Sequence, residues 1–148
     1  MKLRRTLRRS NAAGTAAIEF AVVAPALLMV SFGIYEFGRW AWTLEALQES
    51  ASSGARCVAI GEGACASGGA YSASNTVTYV QKVAAGWGLA VPAADITSTN
   101  STSCGGVSGF SQVGISYVFS TVVPKFIPVG TGGATLSLSS CFPNNVSG

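Results

Sequence analysis

The chain has 148 residues, of which 49% are hydrophobic and only 10% are charged, and its mean hydropathy is +0.43. This length fits one domain of modest size plus a membrane segment, and the hydropathy is unlike that of an ordinary soluble domain. Five of the nine basic residues precede Gly14, so the rest of the chain carries four basic against six acidic side chains, or a charge of −2. Because the folded part has no basic stripe, we expect no nucleic-acid partner.

The inventory of side chains also argues against catalysis. The chain contains no histidine, which excludes a Ser-His-Asp triad, a Cys-His pair and histidine-bound zinc. A Ser-Lys pair stays formally possible through Lys82 or Lys125. Outside the long helix predicted below, the acidic residues are Glu62 and Asp95, and their predicted positions in loops or at a strand edge do not suit a glycosidase pair. We therefore expect no enzymatic activity, no cofactor and no metal.

Residues 1–14 form a basic, polar leader that is too short to fold. Its five cations all stand before the apolar stretch that follows, whereas only Arg39 comes soon after that stretch. The positive-inside rule therefore predicts a cytoplasmic N-terminus and an exported remainder. A cleavable secretory signal is the competing interpretation. Its apolar region would be about 7 to 15 residues long and end in a small-x-small site, whereas the apolar run here is longer.

Residues 15–35 are predicted to form a transmembrane helix. The stretch has 21 residues with one charged side chain, Glu19, and at about 1.5 Å per residue a helix of this length just crosses a hydrocarbon core of about 30 Å. A carboxylate there costs about 2.5 to 3.5 kcal/mol on insertion scales, so Glu19 needs a cationic partner or must snorkel to the cytoplasmic headgroups. At Pro25 we expect a kink rather than a break.

Residues 36–60 are predicted to continue the same helix in amphipathic form. Apolar side chains recur at alternating steps of three and four, at Phe37, Trp40, Leu44, Leu47, Ala51, Gly54 and Val58. Such a stripe is typical of a helix face packed against its own domain. The aromatic residues Tyr35, Trp40 and Trp42 cluster where the outer membrane interface should lie, as in an aromatic belt.

The start of the apolar stretch carries a short motif. Gly14 is followed by four small or apolar residues, then by Glu19 and Phe20, all behind a basic leader. This arrangement resembles the processing site of type IV prepilins. The resemblance implies that a prepilin peptidase cuts between Gly14 and Thr15, and that Glu19 then pairs with the new N-terminal amine of a neighbouring subunit. An α-amine with a pKa near 8 is mostly protonated at pH 7 and suits a buried carboxylate.

A longer pattern narrows this resemblance. The runs 14–28, 32–39 and 53–56 together look like the N-terminal signature of TadE-like proteins, the minor pseudopilins of the tight adherence pilus system. The resemblance implies a single-pass protein of the bacterial inner membrane with its C-terminal head in the periplasm, or in the pilus, that helps to assemble or initiate the pilus. Its partners would be the prepilin peptidase, other pilins and pseudopilins, and the inner-membrane pilus assembly platform. The alternative is a singly anchored periplasmic binding or scaffold module that does not polymerise.

Residues 61–148 are predicted to form an exported α+β head. A flexible loop over residues 61–73 precedes a short helix, capped by Ser74 or Asn75 and running to about Trp87. Period-2 alternation then predicts about three antiparallel strands, with the helices on one face of the sheet. The predicted strands are residues 94–98, 113–122 and 134–141, and their connections are residues 100–109 and 124–133.

The four cysteines, Cys57, Cys65, Cys104 and Cys141, all lie in the exported part. An even number of cysteines in an oxidising compartment predicts two disulfides, with three possible connectivities. We favour Cys57 with Cys65, which closes the loop after the first helix, and Cys104 with Cys141, which ties two parts of the sheet. A metal site is disfavoured because there is no Cys-x-x-Cys pair.

Overall fold

The computed structural model describes residues 3–121 and 133–144. The chain is an α+β protein, as predicted. A long helix α1 (Leu3–Ala59) is followed by the two-residue strands β1 (Ala66–Ser67) and β2 (Ala70–Tyr71) and by a short helix α2 (Ala73–Gly86). A 3-10 turn at Ala93–Asp95 then leads into three longer strands, β3 (Ile96–Cys104), β4 (Val107–Phe119) and β5 (Ala134–Pro143). The predicted connection at residues 124–133 lies outside the described residues except for its last residue.

Helix α1 is longer than the sequence predicted. It begins at Leu3 and has 57 residues, so leader residues that we expected to be too short to fold are helical. Starting a new helix is costly, but adding a residue to an existing helix forms one more hydrogen bond. The leader residues can therefore extend the helix that the apolar stretch already forms. The helix continues through Pro25 without a break. The chain divides into two compact units, Met1–Arg39 and Trp40–Gly148.

The second unit has its core between α1, α2 and the inner face of the sheet. Leu47, Ala51 and Ala55 of α1 are fully buried, at steps of four residues. The same cluster contains residues from α2, from the loop after it and from the sheet, namely Val80, Ala84, Val91, Ile96, Val113 and Ile115. The long helix therefore packs on its own domain at this end, as its apolar stripe predicted.

The three longer strands form an antiparallel sheet in the order β3-β4-β5. Along β4, Ser111, Val113, Ile115 and Phe119 are buried, whereas Ser116 and Val118 between them are exposed. Strand β3 starts two residues later than predicted and extends to Cys104, because it pairs with β4 through Ile96↔Ile115 and Cys104↔Val107. Most of the predicted connection at residues 100–109 is thus strand, and the turn is confined to Gly105 and Gly106.

Two local predictions in the head were wrong in detail. The N-cap of α2 is Ser72, whose hydroxyl accepts a hydrogen bond from the Asn75 backbone N–H at 3.4 Å, rather than Ser74 or Asn75. The predicted flexible loop contains the hairpin of β1 and β2, which pair through Ala66↔Tyr71 and Ser67↔Ala70. Its turn is Gly68-Gly69, both at positive φ, a two-residue hairpin signal that the sequence analysis missed.

Candidate functional site

The residues predicted for processing and assembly all lie near the start of α1. Gly14, Thr15, Glu19 and Phe20 are exposed within the first unit, and the Phe20 ring is 74% exposed. Thr15 and Glu19 are four residues apart, so they lie on the same face of the helix. A Cβ atom added at Gly14 would meet nothing within 4 Å. The described residues therefore leave these four positions uncovered.

The apolar part of α1 has no packing partner within the described residues. The side chains of Ile18, Val22 and Leu27 are each more than 60% exposed. Between Gly14 and Ala59 lies a helix long and apolar enough to cross a membrane, and its most apolar stretch is not buried by the protein. By length and composition, this helix could therefore cross a membrane once.

A charged pair follows this apolar stretch. Arg39 Nη1 donates a hydrogen bond of 2.9 Å to Glu36 Oε1. Glu36 is only 4% exposed, and its second oxygen, Oε2, is buried without a hydrogen-bond partner. Glu36 lies outside the apolar stripe that the sequence predicts for residues 36–60, so its burial was not expected. The three-residue spacing of the opposite charges predicts their ion pair but does not predict the burial of Glu36.

The structure contains two disulfides, Cys57–Cys65 and Cys104–Cys141, which is the pairing that the sequence analysis favoured. Cys57 and Cys65 are almost fully buried, and their bond closes the turn that follows α1. The Cys65 carbonyl also accepts a hydrogen bond of 3.0 Å from the Ser72 backbone N–H, which links this turn to the start of α2.

The second disulfide joins the outer strands β3 and β5, which lie on opposite sides of β4. Next to it, Asn144 links the same strands again. Its Nδ2 donates to the Asn100 carbonyl at 2.6 Å, and its Oδ1 accepts a hydrogen bond from the Ser111 hydroxyl. At this end of the sheet, the strands are therefore joined by a disulfide and by the hydrogen bonds of the Asn144 side-chain amide.

A pair of tryptophans also belongs to the second unit. The rings of Trp42 in α1 and Trp87 at the C-cap of α2 lie edge to face with centroids 5.2 Å apart. Trp42 Nε1 donates to the Trp87 carbonyl at 3.5 Å. Trp42 is nevertheless 56% exposed, so this aromatic pair lies at the surface.

Part of the chain, near its N-terminus, matches a known protein family. Residues 14–56 match the family model described as TadE-like protein. This segment is thus similar to TadE-like proteins. The match confirms, for this segment, the resemblance found in the sequence. No curated protein and no solved structure gave a significant match to the chain.

The TadE-like segment covers under a third of the chain, but it contains all the residues predicted for processing and assembly. It also contains the Glu36–Arg39 pair and Trp42, and it ends just before Cys57. Helix α2, the sheet and Trp87 lie outside it. Within the described residues, no group of three or more histidine, cysteine or acidic side chains lies close enough to hold a metal ion.

Proposed function

We propose that this protein is a minor pseudopilin that takes part in the assembly or initiation of a Tad-type pilus after a prepilin peptidase cuts it behind Gly14. The observation that carries the proposal is that the TadE-like match begins at Gly14, where the apolar stretch of α1 begins, and that the described residues leave this stretch uncovered. A module that acted alone would need this helix only as an anchor. A pseudopilin would use the helix first as a membrane anchor and then as a packing surface among other subunits.

The chemistry of the helix start supports processing at this site. Glycine costs about 1 kcal/mol relative to alanine inside a helix, so the peptide bond between Gly14 and Thr15 lies at a weak point of α1. A peptidase must unwind a helix locally to reach its backbone, and unwinding costs least at such a point. Removal of the leader would also take away the five cations that hold the N-terminus on the cytoplasmic side.

Cleavage would create a partner for Glu19. The new α-amine of Thr15 carries a positive charge at neutral pH, and a carboxylate inside a membrane or a helix bundle requires such a charge. In an assembled pilus the amine would come from a neighbouring subunit, which makes Thr15 and Glu19 the assembly pair. The exposed Phe20 would pack among the apolar helices around this pair.

The remaining partners and the location follow from the same proposal. The protein would cross the inner membrane once, with its N-terminus in the cytoplasm and Trp40–Gly148 on the periplasmic side. There it would meet other pilins and pseudopilins at the inner-membrane assembly platform. An oxidising compartment suits the two disulfides of this unit.

The test is intact mass and N-terminal sequencing of membrane-extracted protein from cells with and without the host prepilin peptidase. We expect an N-terminus at Thr15 that depends on the peptidase. Gly14→Val should block the cut, since a branched side chain would stand next to the scissile bond, whereas Gly33→Val is the matched control. A Cβ atom added at either glycine would meet nothing within 4 Å, so neither change should disturb packing. A full-length N-terminus in both strains would overturn the proposal and favour the singly anchored periplasmic module.

A further inference from the structure

We propose that the free edge of β5 pairs with β5 of a second copy of this chain, so that the sheets of the two copies join into one. The two strands would run antiparallel about a two-fold axis at Ser137. The inference goes beyond the proposed function, since this edge lies in the second unit and outside the TadE-like segment. It depends neither on processing behind Gly14 nor on where the first unit lies.

The first argument is that β5 has an open edge. In the sheet order β3-β4-β5, β5 pairs with β4 on one side, and no strand of the described residues pairs with its other side. In an antiparallel ladder, every second residue directs its N–H and C=O groups away from the neighbouring strand. Strand β5 has ten residues, Ala134–Pro143, and therefore presents a row of backbone groups to which a further strand can bond.

The second argument is that β5 lacks the features with which proteins protect an edge from pairing. It has no charged residue, its proline is its last residue, and its register with β4 is uninterrupted. The opposite edge of the sheet differs. Strand β3 has register shifts between Thr99 and Ser103, and the Ser98 carbonyl accepts a hydrogen bond of 2.8 Å from the Tyr71 hydroxyl. We therefore expect pairing at β5 and not at β3.

The third argument is that the core is incompletely covered along β5. On the face of the sheet that packs against the helices, Val113 and Ile115 of β4 are fully buried. Leu136 and Leu138 of β5 pack against the same core cluster but are only half-buried. A strand added at this edge would cover the open side of both leucines. Burial of this apolar surface favours association.

A second copy of β5 is the occupant that the sequence of this strand favours. With Ser137 opposite Ser137 of the second copy, Leu136 meets Leu138 on the inner face, and Thr135 meets Ser139 on the outer face. Odd-numbered residues thus meet odd-numbered residues, so the backbone groups that point to the free edges of the two strands face one another. Because β5 has no charged residue, the pairing brings no like charges together.

The experiment measures self-association of the full chain in detergent by analytical ultracentrifugation over a range of protein concentrations. We expect a dimer that dissociates on dilution. In the variant Thr135→Lys/Ser139→Lys, the proposed register places lysine opposite lysine at two positions, both of them exposed in the single chain. Like charges directly opposite each other destabilise a ladder, so the dissociation constant of the dimer should rise about tenfold.

Two further variants separate pairing at this edge from general effects of charge. Thr135→Lys/Ser139→Glu places lysine opposite glutamate in the same register, so the dimer should form at least as well as in the parent chain. Ser103→Lys/Ser116→Lys adds two lysines at exposed positions of β3 and β4, and should leave the dimer unchanged. Retention of both disulfides, checked by intact mass, and far-ultraviolet circular dichroism show that each variant is folded.

A cross-linking measurement tests the same register without added charge. The four native cysteines are all in disulfides, so a cysteine introduced at residue 137 is the one free thiol. In a dimer of Ser137→Cys, the two Cβ atoms would lie about 5 Å apart, within reach of a short bismaleimide. Ser116 pairs with Ser137 on β4. The thiols of Ser116→Cys would be two strand spacings farther apart, at about 15 Å, and should not be joined.

The outcomes are distinct. A dimer that the lysine–lysine variant weakens and the lysine–glutamate variant retains supports the inference, as does cross-linking at residue 137 without cross-linking at residue 116. A dimer that every variant forms equally well would be held by another part of the chain, such as the first unit, and would overturn the inference. Equal weakening by both variants of residues 135 and 139 would overturn the proposed register.

A monomer at every concentration would also overturn the inference, and would leave the edge of β5 to residues 122–132 of the same chain or to another pilin. None of these results depends on cleavage behind Gly14. Failure of this inference is therefore distinguishable from failure of the proposed function, which the N-terminal sequence of the protein tests.

Discussion

At the scale of single residues, Glu19 is the one charged side chain of the predicted transmembrane stretch. It lies exposed on an apolar helix, where hydrocarbon or neighbouring helices would desolvate it. We expect Glu19→Ala to be cleaved after Gly14 like the parent protein, since the peptidase acts on the preceding bond, but to be absent from purified pili. Immunoblots of the membrane and pilus fractions check this. Glu45→Ala, which removes an exposed carboxylate beyond the span, is the matched control. Normal amounts of Glu19→Ala in pili would contradict the assembly role.

Gly54 is a residue at which packing requires the smallest side chain. A Cβ atom there would lie 2.5 Å from Val80 Cγ2 and 3.4 Å from Val113 Cγ2, so α1 approaches α2 and the sheet closely at this point. We expect Gly54→Val to lower the free energy of unfolding by about 1 to 3 kcal/mol, because Val80 is β-branched and cannot turn aside freely. Denaturant unfolding of the second unit, in the full chain in detergent, measures the change. Gly63→Val has open space and should have little effect. Equal denaturant midpoints for Gly54→Val and Gly63→Val would contradict this interpretation of the packing.

At the scale of elements, the two disulfides constrain the unfolded chain to different extents. Cys57–Cys65 spans 8 residues and Cys104–Cys141 spans 37. By loop entropy, the shorter loop contributes about 2.5 kcal/mol and the longer one about 4 kcal/mol. We therefore expect Cys104→Ser/Cys141→Ser to destabilise the second unit more than Cys57→Ser/Cys65→Ser. Thermal unfolding followed by circular dichroism checks the order. The reverse order would mean that the buried packing of Cys57 and Cys65 outweighs loop entropy.

The elements differ in how far the sequence could predict them. Helix α1 was predictable because its apolar stripe repeats over many turns. In β3 the only strongly apolar side chain is Ile96, so no alternation marks the strand, and its pairing with β4 decides its conformation. Gly68-Gly69 did carry a turn signal, but the strands beside it have two residues each. The motif at Gly14 and Glu19 came from a resemblance to a family, and the family match over residues 14–56 includes both residues. The burial of Glu36 could not be predicted, because no short pattern in the sequence determines which residues cover a side chain.

At the scale of the whole molecule, the two units differ in what they need from their surroundings. Among the described residues of the first unit, the backbone hydrogen bonds lie within one helix, and the apolar side chains from Ile18 to Ile34 are largely exposed. The second unit buries its own core and has two disulfides. A protein that is stored in a membrane and then transferred into a pilus would have to change the surroundings of the first unit only. The division near Arg39 is consistent with such a role.

This division predicts that the second unit folds by itself. A chain that begins at Trp40 keeps the α1 residues of the core cluster, helix α2, all three sheet strands and both disulfides. Exported to an oxidising compartment, it should form both disulfides and unfold in one cooperative transition without detergent, because the core cluster of the described residues begins at Leu47. Intact mass tests for the two disulfides, and circular dichroism during heating tests for the transition. Gly54→Val in the same shortened chain should lower the midpoint temperature of unfolding. A shortened chain that shows no cooperative transition would mean that the second unit depends on residues before Trp40.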